Sequence, residues 1–184
     1  GHRFSTDCDS EILAHLYEEY GIVCLKHLRG EFAFVLLDQK QNRLFAARDR
    51  FGIKPFVYAE IADRLLFASE AKALFAAGLP CAWDHESFYY SASIQYVLPD
   101  RTLFQSVHQL PPGHMLIFEN GRLRRQKYWD LDYSLDKEDS LSEEELIETY
   151  KNKLEEAVKL RLRADTPVCC HLSGGLDSAS VVAL

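Results

Sequence analysis

The 184-residue sequence lacks the cysteine patterns that cross-link small domains and the long apolar segments that anchor proteins in membranes. Its five cysteines are an odd number and include no Cys-x-x-Cys pair, which argues against a disulfide framework and a cysteine metal site. We therefore expect free, mostly buried thiols in a reducing compartment. No apolar run is long enough to span a bilayer, and no signal peptide is recognisable. These absences predict a cytoplasmic protein without a membrane partner.

Concentrated positive charge is also missing. The sequence has 21 lysines and arginines against 28 aspartates and glutamates, and its formal net charge is -7. The densest basic run, residues 122–127, is expected on the solvated face of one strand. A nucleic-acid interface needs a basic patch, so we expect no nucleic acid partner. The seven histidines show no His-Glu-x-x-His motif and no paired ligand spacing, which argues against a histidine metal site.

The first two thirds of the sequence are rich in strand patterns, and 47% of all residues are hydrophobic. Residues 31–38 form an apolar run bounded by charge, which predicts a strand buried on both faces. Asn120-Gly121 predicts the tight turn of a hairpin. Short helices are expected between Thr6 and Gly21, near residues 70–77 and after Asp84. Further strands are expected at residues 43–48, 56–59, 65–68, 114–118 and 122–129.

The pattern changes near residues 134–141. Ser142 and Glu145 have the spacing of a helix capping box, and apolar residues then recur every four positions from Leu146 to Val158. Residues 168–172 predict a short buried strand, and residues 180–184 predict another helix. We expect an α+β domain over residues 1–133, a linker over 134–141, and the start of a parallel α/β domain over 142–184. Because the chain begins at Gly1 and ends inside an apolar run, we expect a fragment of a longer protein.

Residues 173–178 read Ser-Gly-Gly-Leu-Asp-Ser and lie where a strand would pass into a helix. Glycines let the main chain approach a phosphate closely, and successive N–H groups at a helix start can form an anion-binding cup. Asp177 would repel a bare phosphate, which implies a bridging Mg²⁺. No lysine follows the glycines, so this is not a Walker loop, and it suits chemistry that releases pyrophosphate. A plain strand–helix turn is the alternative.

The hexapeptide resembles the PP-loop of ATP pyrophosphatase domains, and other stretches resemble glutamine-hydrolysing asparagine synthetases. The resemblance runs through essentially all 184 residues and is carried by residues 28–38, 47–56, 67–74 and 110–114. It implies an incomplete N-terminal-nucleophile sandwich of antiparallel sheets with helices. The first helix, strand, loop and helix of a parallel α/β PP-loop domain would follow this sandwich.

The resemblance also implies a function for the longer protein. It would be a glutamine-hydrolysing asparagine synthase, an ATP-dependent ligase that activates aspartate as β-aspartyl-AMP and transfers ammonia from glutamine. ATP and Mg²⁺ are the implied cofactors, glutamine and aspartate the implied substrates, and a homodimer is left open. We expect the fragment to be inactive, because the family's N-terminal catalytic cysteine has no counterpart in it. Two alternatives remain: a ligase or cyclase of the β-lactam synthetase type acting on another carboxylate, and a non-catalytic nucleotide-binding relic.

The resemblance assigns roles to individual residues. Asp9 takes the place of the aspartate that binds the α-amino group of glutamine, and Thr6 or Asp7 would cap the helix beside it. The alternative is that Asp7 or Asp9 is only a helix cap. Leu172 would contact ATP through its main chain, and Asp177 would bind Mg²⁺. The remaining predicted pyrophosphate-binding residues are Ser173, Gly174, Gly175 and Ser178.

Three consecutive charged residues, Arg48, Asp49 and Arg50, follow the second predicted strand and have two interpretations. They could form a buried ion-pair network that shapes the interface between the two domains. They could equally be a charged loop whose turn is set by Gly52 and Pro55.

Overall fold

The computed structural model describes residues 1–61, 64–133 and 141–184, which form two compact units, Gly1–Asp132 and Tyr133–Leu184. The linker predicted at residues 134–141 lies outside the described residues except for Leu141. The helices of the first unit are α1 (Glu11–Tyr20), a 3₁₀ helix (Gly21–Lys26), α2 (Ala71–Ala76) and α3 (His85–Ile94). Its strands are β1 (Ala33–Asp38), β2 (Arg43–Arg48), β3 (Val57–Ile61), β4 (Arg64–Ala68), β5 (His108–Gln109), β6 (His114–Glu119) and β7 (Arg122–Lys127).

The strands of the first unit form two antiparallel sheets, with strand orders β1-β2-β6-β7 and β4-β3-β5. Because side chains alternate along a strand, β2 sends Phe45 and Ala47 to one face and Ala46 to the other. Phe45 packs with α1 and the 3₁₀ helix, whereas Ala46 packs with Tyr58 of the second sheet. The outer face of the second sheet packs on Leu74 of α2. The unit is therefore a helix–sheet–sheet–helix sandwich.

The predicted hairpins are confirmed, but the burial predicted for residues 31–38 is wrong. β1 lies at the edge of its sheet, and its Val35 and Leu37 side chains are exposed. The strand that is buried on both faces is β2, which pairs with β1 on one side and β6 on the other. The turn between β6 and β7 has positive φ angles at Asn120 and Gly121, as the sequence predicts.

The second unit contains α4 (Glu143–Arg161) and α5 (Leu176–Ala183). Ser142 and Glu145 form the predicted capping box. The strand predicted at residues 168–172 is not formed, and these residues are exposed. A strand requires a hydrogen-bonding partner, and the part of this unit that the structure describes contains no other strand. Helix α5 begins at Leu176, four residues before the start expected from the sequence.

The cysteines also differ from expectation. All five are free, but Cys24 alone is buried, while Cys8, Cys81, Cys169 and Cys170 are exposed. Burial raises the pKa of the Cys24 thiol to about 11, so it is an unreactive core residue. Among the helices that the structure describes, none has the length and apolarity to cross a bilayer.

Candidate functional site

A cleft of about 410 Å³ opens in the first unit and is within the usual size range of small-molecule sites. Asp9 and Ser10 line one side, at the start of α1. The rest of the lining includes residues 28, 29, 31 and 32 before β1, residues 33 and 34 in β1, and Lys54, Pro55 and Ser69. The cleft is thus built by segments far apart in the sequence, which the sandwich brings together.

Asp9 lies in a tight turn at the start of α1, where main-chain hydrogen bonds replace a side-chain cap. The main-chain N–H groups of Glu11, Ile12 and Leu13 donate to the carbonyl oxygens of Cys8, Asp9 and Ser10, at 3.1 to 3.3 Å. These bonds satisfy the first donors of α1, and its N-cap residue, Ser10, makes no side-chain cap, so the capping roles considered for Thr6, Asp7 and Asp9 are wrong.

The Asp9 carboxylate accepts a hydrogen bond from the Ser10 hydroxyl at 3.4 Å and contacts the Cys8 thiol at 3.9 Å. Among the described residues, no cation forms an ion pair with it. An exposed carboxylate at a cleft, held by weak neutral contacts, remains able to pair with an ammonium group.

The segment before α1 is held by the Glu11 carboxylate. It accepts hydrogen bonds from the main-chain N–H groups of Ser5 and Thr6, both at 2.8 Å, and from their hydroxyl groups at 2.9 and 2.5 Å. The Thr6 hydroxyl bond is the largest of the effects that lower the pKa of Glu11 to about 2. Glu11 therefore stays ionised and ties residues 5 and 6 to the helix that follows Asp9.

Two residues that line the cleft form an ion pair, with the Lys54 Nζ and Glu31 Oε2 atoms 3.5 Å apart. Lys54 ends a loop that Asp49 organises. The Asp49 carboxylate is buried and accepts main-chain hydrogen bonds from Phe51 at 3.1 Å, Ile53 at 3.0 Å and Lys54 at 2.9 Å. A single carboxylate thus sets the path of the main chain up to Lys54.

Arg48 holds the same loop through three carbonyl oxygens. Its guanidinium donates to Lys54 at 2.7 Å, Leu110 at 2.8 Å and Gly52 at 2.6 Å. Burial lowers the pKa of Arg48, and the nearby Asp49 charge opposes that shift. Arg48 and Asp49 therefore act through the backbone of their own unit, a role that neither sequence interpretation of residues 48–50 proposed.

In the second unit, the predicted pyrophosphate residues come together at the start of α5. The Ser173 and Ser178 hydroxyl groups are 2.9 Å apart, and Ser178 also donates to the Gly175 carbonyl at 3.0 Å. Gly174 has a φ of 84°, which favours glycine, and the Gly175 N–H makes a 3.4 Å bond to the Ser173 hydroxyl.

The N–H groups of Leu176, Asp177 and Ser178 have no acceptor among the described residues, as is usual in the first turn of a helix. These N–H groups could donate hydrogen bonds to phosphate oxygens. The exposed Asp177 carboxylate lies in the same turn and could bind a cation. Leu172 lies just before this turn and is 62% exposed. Asp9 belongs to the other unit, so the structure describes the two candidate sites separately.

Comparison with protein families agrees with this division of the chain. The glutamine amidotransferase domain family matches residues 1–129, and the asparagine synthase family matches residues 149–184. Amidase chyE of Penicillium rubens is 44% identical over 99% of this chain and 27% of its own length. Asparagine synthetase 3 of Bacillus subtilis is 35% identical over 100% of this chain and 30% of its own length. The chain thus spans less than a third of these relatives.

Solved structures share the fold. Glutamine phosphoribosylpyrophosphate amidotransferase from B. subtilis, complexed with ADP and GMP, matches 100% of this chain and 38% of its own chain. The TM-score is 0.50 at 18% identity. An allosteric regulatory enzyme of purine biosynthesis gives a TM-score of 0.51 at 19% identity, over 98% of this chain and 37% of its own. At such identities the likeness concerns the fold alone, and it confirms the N-terminal-nucleophile type of sandwich expected from the sequence.

Proposed function

The chain belongs to the family of glutamine amidotransferase domains that are joined to an asparagine synthase domain, and from this premise we propose that its parent protein is a glutamine-dependent, ATP-dependent amide-forming ligase. The acceptor we propose is the side-chain carboxylate of aspartate, which makes the enzyme an asparagine synthase. The observation that carries the proposal is the exposed Asp9 carboxylate in the lining of the first-unit cleft.

The cleft offers a carboxylate to the ammonium group of glutamine. An amino acid presents an ammonium and a carboxylate, and both need a charged partner when they leave water. The Asp9 carboxylate can pair with the ammonium, while the Lys54 amine, which also lines the cleft, is already paired with Glu31. We propose that Asp9 selects the α-amino end of glutamine.

The residues at the start of α5 fit the polyphosphate of ATP and its magnesium ion. Ser173, Gly174, Gly175 and Ser178 would surround the departing pyrophosphate, Leu172 would contact ATP through its main chain, and Asp177 would hold Mg²⁺. The fit rests on three free N–H donors beside two hydroxyl groups and one exposed carboxylate. When bound, Mg²⁺ would neutralise the charge of the leaving pyrophosphate.

The names of the relatives favour a second candidate acceptor. Amidase chyE and amidase chry2 of Gibberella zeae are 44% and 43% identical to this chain, whereas three asparagine synthetases of B. subtilis are 34% to 35% identical. The second candidate is therefore the same nitrogen-transfer chemistry on a carboxylate other than aspartate.

Pyrophosphate release by the purified parent protein tests the proposal. With glutamine, ATP and Mg²⁺ present, aspartate should trigger release and asparagine should accumulate. Release that occurs only with another carboxylate would select the second candidate. Failure of every carboxylate to trigger release, with no heat of ATP–Mg²⁺ binding, would rule out an ATP-dependent enzyme, whereas ATP–Mg²⁺ binding without release would show a nucleotide-binding relic.

Two variants of the parent protein test the separate sites. Asp177→Asn should abolish pyrophosphate release and leave glutamine hydrolysis largely intact. Asp9→Asn should raise the KM for glutamine while ammonia-dependent amide formation continues. Asp7→Asn, the same change at a nearby exposed aspartate outside the cleft, is the matched control. Equal loss of both activities in either variant would refute the assigned roles.

A further inference from the structure

Two histidines and a glutamate converge on one side of α1, although the sequence suggests no such site. His15 and Glu18 are three residues apart on α1, and His2 lies against them from the segment before the helix. One potential ligand atom from each side chain lies within 4.8 Å of the other two. The histidines are 13 positions apart, farther than the short histidine spacings typical of zinc-binding motifs.

Both imidazole rings direct the same nitrogen toward one carboxylate oxygen. Glu18 Oε2 lies 3.4 Å from His2 Nδ1 and 3.8 Å from His15 Nδ1. A tetrahedral zinc ion, with bonds of about 2.0 to 2.1 Å, separates its ligand atoms by about 3.4 Å. Small side-chain movements would therefore bring all three atoms to the distances of a zinc site.

Each histidine is also held by a second glutamate through its other ring nitrogen. His2 Nε2 lies 2.9 Å from Glu19 Oε1, and His15 Nε2 lies 3.3 Å from Glu11 Oε1. A carboxylate that accepts the Nε2–H bond of a neutral imidazole leaves Nδ1 with its lone pair free to bind a metal. Such outer carboxylates orient the histidine ligands of most protein metal sites.

His15 provides an independent indication. The His15 side chain is only 19% exposed. Its Nδ1 atom is buried and has no hydrogen-bond partner among the described residues. The Phe4 ring packs edge-on against the imidazole, with centroids 4.7 Å apart, and shields it from water. A buried polar atom without a partner is unusual in a folded protein, and a bound cation would satisfy it.

We propose that His2, His15 and Glu18 bind a divalent transition-metal ion of the Zn²⁺ type, with water completing its coordination. Two imidazole nitrogens and one carboxylate oxygen form a donor set that suits Zn²⁺ rather than Mg²⁺. Glu11 and Glu19 provide the outer shell and additional negative charge. The ion would fasten the segment that contains His2 to α1, and this site is independent of the ligase function proposed above.

Calorimetric titration with ZnCl₂ tests the site on the complete chain without a histidine tag. Exposed thiols also bind zinc, so Cys8, Cys81, Cys169 and Cys170 are first replaced by serine. One Zn²⁺ per chain should bind. Glu18→Gln and His2→Ala should each weaken binding by at least about 10-fold. His85→Ala, at an exposed histidine on α3, is the matched control and should bind zinc unchanged.

Thermal unfolding provides a second readout that does not depend on activity. Zinc should raise the Tm of the cysteine-free protein and of His85→Ala, but not that of Glu18→Gln, because binding only to the folded state stabilises it. Glu18 is 67% exposed, so its replacement should not disturb folding. Absence of zinc binding, or binding that Glu18→Gln and His2→Ala leave unchanged, would overturn the proposal and show that these side chains form only ion pairs.

Discussion

The substitution Asp49→Asn should destabilise the first unit strongly, although it removes only one charge. Asp49 is 1% exposed, and its Oδ1 atom accepts the N–H groups of Phe51 and Ile53, while Oδ2 accepts that of Lys54. Asparagine has a single acceptor oxygen. If that oxygen takes the place of Oδ1, the amide group faces the Lys54 N–H, where a donor meets a donor.

The magnitude follows from these three bonds. A hydrogen bond to a charged group contributes about 1.5 to 3 kcal/mol, and one between neutral groups about 0.5 to 1.5 kcal/mol. Asp49→Asn loses the bond to Lys54 and weakens the other two. We therefore expect the free energy of unfolding to fall by about 4 kcal/mol.

Tryptophan fluorescence during urea unfolding measures this change in the first unit specifically. Trp83 and Trp129 are the two tryptophans of the chain, and both lie in the first unit. Asp7→Asn is the matched control, because it makes the same chemical change at an exposed position and should alter stability by less than about 0.5 kcal/mol. A loss below about 1 kcal/mol for Asp49→Asn would refute the role we assign to its hydrogen bonds.

Two further predictions concern the same unit. Gly113→Ala should cost about 3 kcal/mol, because φ is 65° and a Cβ atom would lie 2.5 Å from the Trp129 carbonyl oxygen. Gly121→Ala, with φ of 71° and open space around it, should cost about 1 kcal/mol, and equal urea midpoints would contradict this reasoning. The lowered Glu11 pKa predicts stability that is complete above pH 4.5 and lost as the pH falls toward 2. Glu11→Gln should remove that part of the pH dependence of the urea midpoint, and an unchanged profile would show that other carboxylates cause it.

Local features of the fold could be predicted from the sequence, whereas features set by distant partners could not. The turn at Asn120 and Gly121 and the cap at Ser142 depend on a few neighbouring residues, and both are confirmed. The edge position of β1 depends on the order of strands in the sheet, which an apolar run does not encode. The apolar run at residues 31–38 therefore predicted a strand buried on both faces, but the strand with that burial is its neighbour β2.

The candidate site shows the same limit. The resemblance to a known family identified Asp9, but the cleft also needs Lys54, whose position follows from Arg48, Asp49 and the carbonyl of Leu110. Two adjacent charges in a sequence indicate a surface loop or an ion pair more readily than buried side chains that bind the main chain. The seven histidines show no paired ligand spacing, which argues against a histidine metal site, yet the packing of His2 against α1 brings its ring within 4.7 Å of the His15 ring.

The two candidate sites therefore depend on the fold to different degrees. The cleft beside Asp9 is assembled from four separate stretches of the first unit, so a substitution such as Asp49→Asn can disturb it although Asp49 does not line it. The cup formed by residues 173–178 is held by hydrogen bonds that span at most five residues. If the proposed function is right, partial unfolding of the first unit should impair the use of glutamine while leaving the local geometry of residues 173–178 intact. In the parent protein, Asp49→Asn should reduce glutamine-dependent amide formation more than ammonia-dependent amide formation, and equal loss of both would show that the loop at Asp49 serves more than the cleft.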